Sequence, residues 1–126
     1  MLRCATLAAT LLATALPAAA QIQRNFPADA LRGHLVVTQP PLVLLNGQPA
    51  RLAPGARIRD ANNMGLVSGA IANQKLVVNY TVDISGLLSN VWVLTPAERA
   101  SEPWPRTPAQ AAAWHFDANA QAWSRP

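Results

Sequence analysis

Three arginines stand close together in the stretch NGQPARLAPGARIRD, which holds the strongest chemical signal in the chain. Alternation along ARIRD turns Arg57 and Arg59 to the same outer face, and Arg51 is also predicted to point outward. Guanidinium groups hold phosphate and carboxylate groups bidentately, so this arginine corner is a candidate for a weak anion site. The alternative is that the three side chains are solvated and pair with Asp60 or Glu98, at little net gain in stability. This alternative is favoured, because the stretch is neither a helix N-terminus nor a glycine nest of the kind that binds anions.

Residues for enzymatic chemistry are sparse. The G-x-S-x-G motif of a serine hydrolase is absent, and the two histidines, His34 and His115, lie far apart in the sequence. His115 and Asp117 share a face if their segment is extended, and with His34 they can in principle bind a metal, although three such ligands commonly coincide by chance. The sequence therefore predicts no catalytic residue, no metal ligand and no cofactor.

Three tryptophans, Trp104, Trp114 and Trp123, lie in a tail (96–126) that is poor in other large apolar residues. One interpretation is that they pack on the outside of the preceding domain, and the other is that they hold a ligand or a partner, as aromatic residues do at binding hot spots. Packing is favoured because exposed tryptophan is unfavourable in a monomer. It would cover three outward-facing valines, Val77, Val91 and Val93.

The beginning of the chain is typical of a secretory signal peptide over residues 1–20. Arg3 precedes an apolar run over 5–16, and the small residues 18–20 predict cleavage before Gln21. The apolar run is shorter than the roughly 20 residues that a membrane-spanning helix needs. We therefore expect export without a transmembrane segment.

Cleavage would remove Arg3 and the single cysteine, Cys4, leaving nine basic and six acidic side chains. The mature chain would then contain no disulfide and no thiol chemistry. Its length predicts one domain. Richness in Ala, Arg and Pro suggests a GC-rich bacterial genome, which makes the periplasm the expected destination.

The middle of the chain predicts an all-β domain over 30–95, after a lead at 21–29. Segments 30–39 and 56–60 read as strands, 42–52 as a hairpin around Asn46-Gly47, 65–68 as one short strand, and 75–95 as a second hairpin. Five short strands without a convincing helix between them predict a small barrel or sandwich.

The second hairpin has a predicted register. Asp83 and Gly86 fit the ends of a type I turn with a left-handed bulge glycine. This turn places Tyr80 opposite Asn90 and puts Trp92 on the core face with Tyr80. Because a one-residue slip exchanges the two faces, the apolar pattern selects this register, in which Asn90 is the only misfit. The predicted core face contains Leu76, Val78, Tyr80, Val82, Leu88, Trp92 and Leu94.

Four features of the chain form a recognisable pattern: Gly33 in a first strand, the segment LVLLNGQPARL, an isolated Ile58 and the segment LVVNYTVDISGLLSNVWV. This pattern resembles small exported bacterial OB-like β-barrel domains of unknown function. The resemblance covers residues 31–95 and implies a five-stranded OB-like barrel without catalytic residues. The helix that OB barrels usually place before the fourth strand is not evident in 61–74. The aromatic stacking positions of nucleic-acid-binding members are not identifiable either, which argues against nucleic acid as a partner.

The tail carries two helix-start signatures, at Thr95 with Glu98 and at Thr107 with Gln110. The final segment WHFDANAQAWSRP either extends the second helix or forms a hairpin around residues 117–120. Three functions remain open. The first is a non-enzymatic periplasmic domain that binds a protein or envelope component. The second is an anionic-ligand binder that holds envelope phosphate groups or nucleic acid at the arginine corner, and the third is a small hydrolase or metal-dependent enzyme.

Overall fold

The computed structural model describes residues 23–126, so the predicted signal peptide at 1–20 and its cleavage site lie outside the described residues. The bounds of the strands are β1 Leu31–Val37, β2 Leu42–Leu45, β3 Gln48–Arg59, β4 Gly65–Leu66, β5 Lys75–Val82, β6 Leu88–Val93, β7 His115–Asp117 and β8 Ala122–Ser124. The helices are a 3-10 turn at Ser68–Ile71, α1 Pro96–Ala100 and α2 Pro108–Ala113. Within the described part of the chain, no helix has the length and apolar character needed to span a bilayer.

Five strands close into a mixed barrel, which confirms the predicted small all-β fold and selects the barrel over the sandwich. The order around the barrel is β1, β2, β3, β6, β5 and back to β1, with β3 and β6 parallel and every other pair antiparallel. The two-residue β4 extends the sheet beside β3. The predicted short strand at 65–68 is therefore only two residues long, and a 3-10 turn follows it.

The first hairpin turns at Asn46-Gly47, as predicted, because both residues adopt positive φ, at 53° and 78°. The Asn46 side chain also fixes the neighbouring strand, since its Oδ1 accepts from the His34 backbone N–H at 2.9 Å. This contact needs Gly33: a Cβ there would lie 3.0 Å from Asn46 Oδ1 and 3.2 Å from Tyr80 Cε1. Gly33 therefore permits the close packing of β1, the turn and β5.

The long strand β3 pairs with two different strands along its length. Its first half pairs with β2, and its second half pairs with β6, with a register shift between Leu52 and Arg57. The predicted Pro54-Gly55 bend lies inside this shift, and Gly55 has a φ of 74°. The bend lets one strand continue around the corner of the barrel.

The predicted register of the second hairpin is wrong beyond its turn. The turn itself is as predicted, since the Asp83 N–H donates to Leu87 O and Gly86 has a φ of 80°. After the pair of Val82 and Leu88, however, Thr81 pairs with Asn90. Ser89 is thus an extra residue, a β-bulge that shifts every later pair by one position.

The bulge moves Trp92 to the outside of the barrel, opposite Asn79, while Tyr80 stays in the core opposite Val91. Polar contacts stabilise the bulge: Asn90 Nδ2 donates to Thr81 Oγ1, and the Thr81 and Ser89 hydroxyls lie 3.0 Å apart. These contacts explain why Asn90 was a misfit on the predicted core face. Val82 is exposed, and Leu94 belongs to a cluster outside the barrel.

The barrel interior is filled by aliphatic side chains and one aromatic ring. Ile71, from the 3-10 turn between β4 and β5, also contributes to this interior. The buried members of the barrel core are Leu31, Leu35, Val37, Val43, Leu52, Ile58, Ile71, Val78, Tyr80, Leu88 and Val91.

The tail begins with two short helices and ends in a hairpin. Thr95 and Glu98 form the predicted capping box of α1, and Thr107 caps α2 through the Gln110 N–H. After α2, strands β7 and β8 pair with Phe116 opposite Trp123. The hairpin alternative for the end of the chain is therefore the correct one.

Candidate functional site

An aromatic cluster joins the tail to the outer face of the barrel. Trp104 lies edge-on to Phe26, Phe116 and Trp123, with ring centroids 5.7, 6.0 and 6.2 Å away. Trp92, turned outward by the bulge, meets Phe26 at 5.5 Å. Trp104 and Trp123 are only 5% and 6% exposed, so both pack as structural residues and have little surface left for a partner.

The prediction that the tail covers Val77, Val91 and Val93 is partly wrong. Val77 packs in the aromatic cluster, as predicted. Val91 is instead fully buried within the barrel, and Val93 packs against the barrel core. The cause is again the bulge at Ser89, which reverses the faces of the later residues of β6. Trp114 differs from the other two tail tryptophans because it is only half-buried.

The lead before β1 is held by a buried ion pair. Arg24 Nε and Nη2 both donate to the Glu98 carboxylate, and the guanidinium also donates to the backbone carbonyls of Asp60 and Val93 at 2.8 and 2.7 Å. Burial alone would raise the pKa of Glu98, but hydrogen bonds from Arg24 and Thr95, together with the Arg24 charge, lower it below its usual value. The charge of Arg24 is therefore balanced within the fold.

Arg32 on β1 is buried without such a balance. It is 2% exposed, and its guanidinium donates to the carbonyls of Ser101 and Glu98 and to Asn79 Oδ1, at 2.7, 3.0 and 3.2 Å. Among the residues that the structure describes, no carboxylate lies within ion-pair distance of it. Burial lowers the pKa of Arg32 to about 10, so the group is still charged at neutral pH.

Arg32 also lines a cavity that we call the arginine cavity. Its volume is about 420 Å³, and two further arginines from the tail, Arg106 and Arg125, lie on its walls. Besides burial, the negative charge of Glu102 raises the pKa of Arg32, the positive charge of Arg106 lowers it, and the negative charge of Glu98 raises it. The other side chains that line the cavity are those of Glu102, Pro103, Trp104, Gln110 and Trp114.

Two tryptophan rings place guanidinium groups beside this cavity. The Arg32 guanidinium carbon lies 4.9 Å from the Trp104 ring centroid, and that of Arg125 lies 5.4 Å from the Trp114 ring centroid. Such cation–π contacts favour a defined position for a long side chain. Gln110 Oε1 accepts from the Arg106 backbone N–H at 2.8 Å, so the group that Gln110 can offer a ligand is its NH₂ donor. The arrangement suits the binding of an anion.

A larger cavity of about 540 Å³ lies beside the first and shares Arg32 and Trp104 with it. The Arg24–Glu98 pair lies on its wall. The charges of Arg24 and Glu98 cancel, so Arg32 carries the net positive charge of the larger cavity. The larger cavity is therefore less suited to an anion than the arginine cavity.

The arginine corner lies elsewhere, on the outside of β3. Arg51 pairs across the sheet with Leu42, Arg57 with Asn90 and Arg59 with Trp92. Arg51 and Arg57 are exposed, and Arg59 is half-buried. The three arginines belong to neither cavity, so the structure does not bring them together with the tail tryptophans.

The ion pairs expected at this corner are absent from the described residues. Glu98 pairs with Arg24. The Asp60 carboxylate accepts from the backbone N–H groups of Asn62 and Met64, both at 2.9 Å, which closes its own loop. The Asp60 and Glu98 carboxylates therefore bind other donors and do not pair with the corner arginines. The guanidinium groups of the corner are solvated.

The two histidines do not form a metal centre with neighbouring residues. His34 lies on β1, and His115 begins β7 in the tail. In the described part of the chain, no group of three or more His, Cys, Asp or Glu side chains is placed to hold a metal ion.

Sequence reasoning missed Arg32, Arg106 and Arg125 because they lie on three separate elements. Their spacing carries no motif, although each of the two tail arginines stands two residues after a tryptophan. Comparison of the chain with protein-family models, with curated proteins and with solved structures found no match. The assignment of a function therefore rests on the geometry of the cavity.

Proposed function

We propose that this chain is a non-enzymatic binding domain, exported to the periplasm, whose ligand is an anionic group on an envelope component or a partner protein. The barrel interior is filled by its own core, so the ligand binds outside it. The site is the arginine cavity, between the barrel and the tail.

The observation that carries the proposal is the excess of guanidinium groups in one concave site. Three arginines line the arginine cavity together with a single carboxylate, that of Glu102. Guanidinium groups bind carboxylate and phosphate bidentately, and they do so more strongly when water is partly excluded. Arg32 donates its hydrogen bonds to neutral oxygens, and Glu102 is the one carboxylate in the lining, so an anion would balance the positive charge that remains.

The side chains of this site support binding without catalysis. Its lining, within the described residues, contains no serine, cysteine, histidine or lysine to act as a nucleophile or to transfer a proton at neutral pH. Glu102 alone does not make the carboxylate pair that general acid–base hydrolysis uses. Turnover of p-nitrophenyl phosphate or p-nitrophenyl acetate that disappears on adding a chelator would contradict this part of the proposal.

Export is supported by the signal-peptide pattern of residues 1–20 and by the position of the lead in the fold. Arg24 and Phe26, which follow the predicted cleavage site, are buried and belong to the folded domain. The intact mass of protein recovered from a periplasmic fraction should correspond to a chain starting at Gln21. A membrane-retained chain that still begins with Met1 would contradict export.

Binding is tested by calorimetric titration of the mature protein with sulfate at low ionic strength. Arg106→Gln and Arg125→Gln should each weaken binding about tenfold or more, because each removes one charged hydrogen-bond donor pair. Arg99→Gln is the matched control, since Arg99 is exposed on α1 and lines neither cavity. Equal loss in all three variants would mean that only net charge matters and would refute the site.

The arginine corner supports a second contact. Its three guanidinium groups have no ion-pair partner among the described residues, which favours a charged surface such as anionic lipid headgroups. Vesicles containing phosphatidylglycerol should bind wild-type protein in a salt-dependent way, and Arg51→Gln with Arg57→Gln should lower that binding. Unchanged vesicle binding in the double variant would remove the corner from the account.

A further inference from the structure

We infer that the arginine cavity selects a doubly charged oxyanion group, the kind carried by a phosphate monoester or by free phosphate, over a singly charged one. This inference rests on the proposed anion site and names the class of ligand that the site takes.

The charge balance of the lining carries the inference. Arg32, Arg106 and Arg125 are positive and Glu102 is negative, so the formal charge of the lining is two positive units. A monoanion would leave one positive charge of the lining uncompensated, whereas a dianion neutralises the lining. The remaining charge matters most at Arg32, which is 2% exposed, because charges near a protein interior interact more strongly than charges in bulk water.

The contrast with the larger cavity shows that this balance is local. There Arg24 is neutralised by Glu98 through two guanidinium nitrogens. The same fold therefore supplies a carboxylate for one buried arginine and leaves the other, Arg32, with carbonyl and amide oxygens only.

The three arginines reach the cavity from three separate segments of the chain. Three hydrogen bonds fix the Arg32 guanidinium, and the Arg125 guanidinium lies beside the Trp114 ring. Arg106 follows the buried Pro105 and shares a backbone hydrogen bond with the Gln110 side chain. A tetrahedral oxyanion presents acceptor oxygens in several directions, whereas the lone pairs of a carboxylate lie close to a single plane.

Methyl phosphate and methyl sulfate test the inference, because they have nearly the same shape and differ in charge at pH 8. The second pKa of a phosphate monoester is about 6, so methyl phosphate is a dianion there and methyl sulfate a monoanion. Calorimetric titration of the mature full-length protein should give a dissociation constant about tenfold or more lower for methyl phosphate. In the double variant Arg106→Gln/Arg125→Gln this ratio should fall to near one, whereas Arg99→Gln should retain it.

Inorganic phosphate and glycerol phosphate at the same pH distinguish free phosphate from an ester-borne group. Tighter binding of glycerol phosphate points to a headgroup or sugar phosphate, and tighter binding of inorganic phosphate to the free ion, and both support the dianion. Equal affinities for methyl phosphate and methyl sulfate would overturn the inference while leaving anion binding in place. If neither compound binds, or if the ratio persists in the double variant, the inference fails together with the proposed site.

Discussion

Replacing Trp104 with alanine tests whether the tail is an integral part of the domain. The ring is 5% exposed, meets three other aromatic rings edge-on, and donates through Nε1 to Ala30 O at 3.0 Å. Truncation of a buried tryptophan costs about 3–5 kcal/mol. The ring pairs contribute about 0.5–1.5 kcal/mol each and the hydrogen bond about 1 kcal/mol, so the upper end of the range applies.

A loss of about 4–5 kcal/mol is a large part of the roughly 5–15 kcal/mol that stabilises a domain. For a chain of this size it should lower Tm by roughly 20 °C, measured by differential scanning calorimetry or near-UV circular dichroism. Trp104→Phe keeps an apolar ring and loses the indole hydrogen bond, so it should cost only about 1–2 kcal/mol. Ile84→Ala, at a fully exposed position, should change Tm little. If Trp104→Ala melts within a few degrees of the wild type, the tail is not docked as described.

Three further predictions concern the barrel and its attachments. Gly33→Ala should lower stability by about 1–3 kcal/mol, because its Cβ would lie 3.0 Å from Asn46 Oδ1, while Gly69→Ala, with open space around it, serves as the control in the same thermal melts. The lowered pKa of Glu98 means that its contribution to stability is present above the unfolded-state pKa of about 4.3 and is lost as pH falls through the folded-state pKa. Glu98→Gln should therefore lower Tm at pH 7, and the difference from wild type should shrink in acid; a constant difference at every pH would refute the role of the carboxylate charge. A chain that ends at Thr95 should aggregate or bind a hydrophobic dye, because it exposes Val77 and Trp92, and a stable, monodisperse truncated protein would contradict the docking of the tail.

Local chemistry made much of the fold predictable. Positive φ at Asn46-Gly47 and Gly86 and the capping box at Thr95 depend on a few neighbouring residues, which the sequence shows directly. The number and spacing of such strands and turns predicted a small barrel or sandwich, and the pairing of β1 with both β2 and β5 closes it into a barrel.

The register of β6 was not predictable by the same means. Leu88 and Trp92 are four residues apart, so regular alternation places them on one face. Ser89 bulges instead and bonds with Thr81, and these polar contacts across the strand pair carry no periodic signal. The apolar pattern alone thus selected the wrong side for Trp92.

The arginine cavity depends still more on tertiary packing. It joins Arg32 of the first strand to Arg125 near the end of the described chain, and it forms only because the aromatic cluster holds the tail against the barrel. By contrast, the arginines that are close in sequence, Arg51, Arg57 and Arg59, line neither cavity. Proximity along the chain was therefore a poor guide to the site.

The most direct test of an anion site between barrel and tail is a ¹H–¹⁵N spectrum that includes the side-chain resonances of arginine and tryptophan, recorded as sulfate is added. Saturable shifts are expected for the Nε–H groups of Arg106 and Arg125 and for the indole N–H of Trp114, with little change at Arg99 and Arg57. Shifts of similar size at every exposed arginine, or shifts that follow the corner on β3 and leave Arg106 and Arg125 unchanged, would contradict the account.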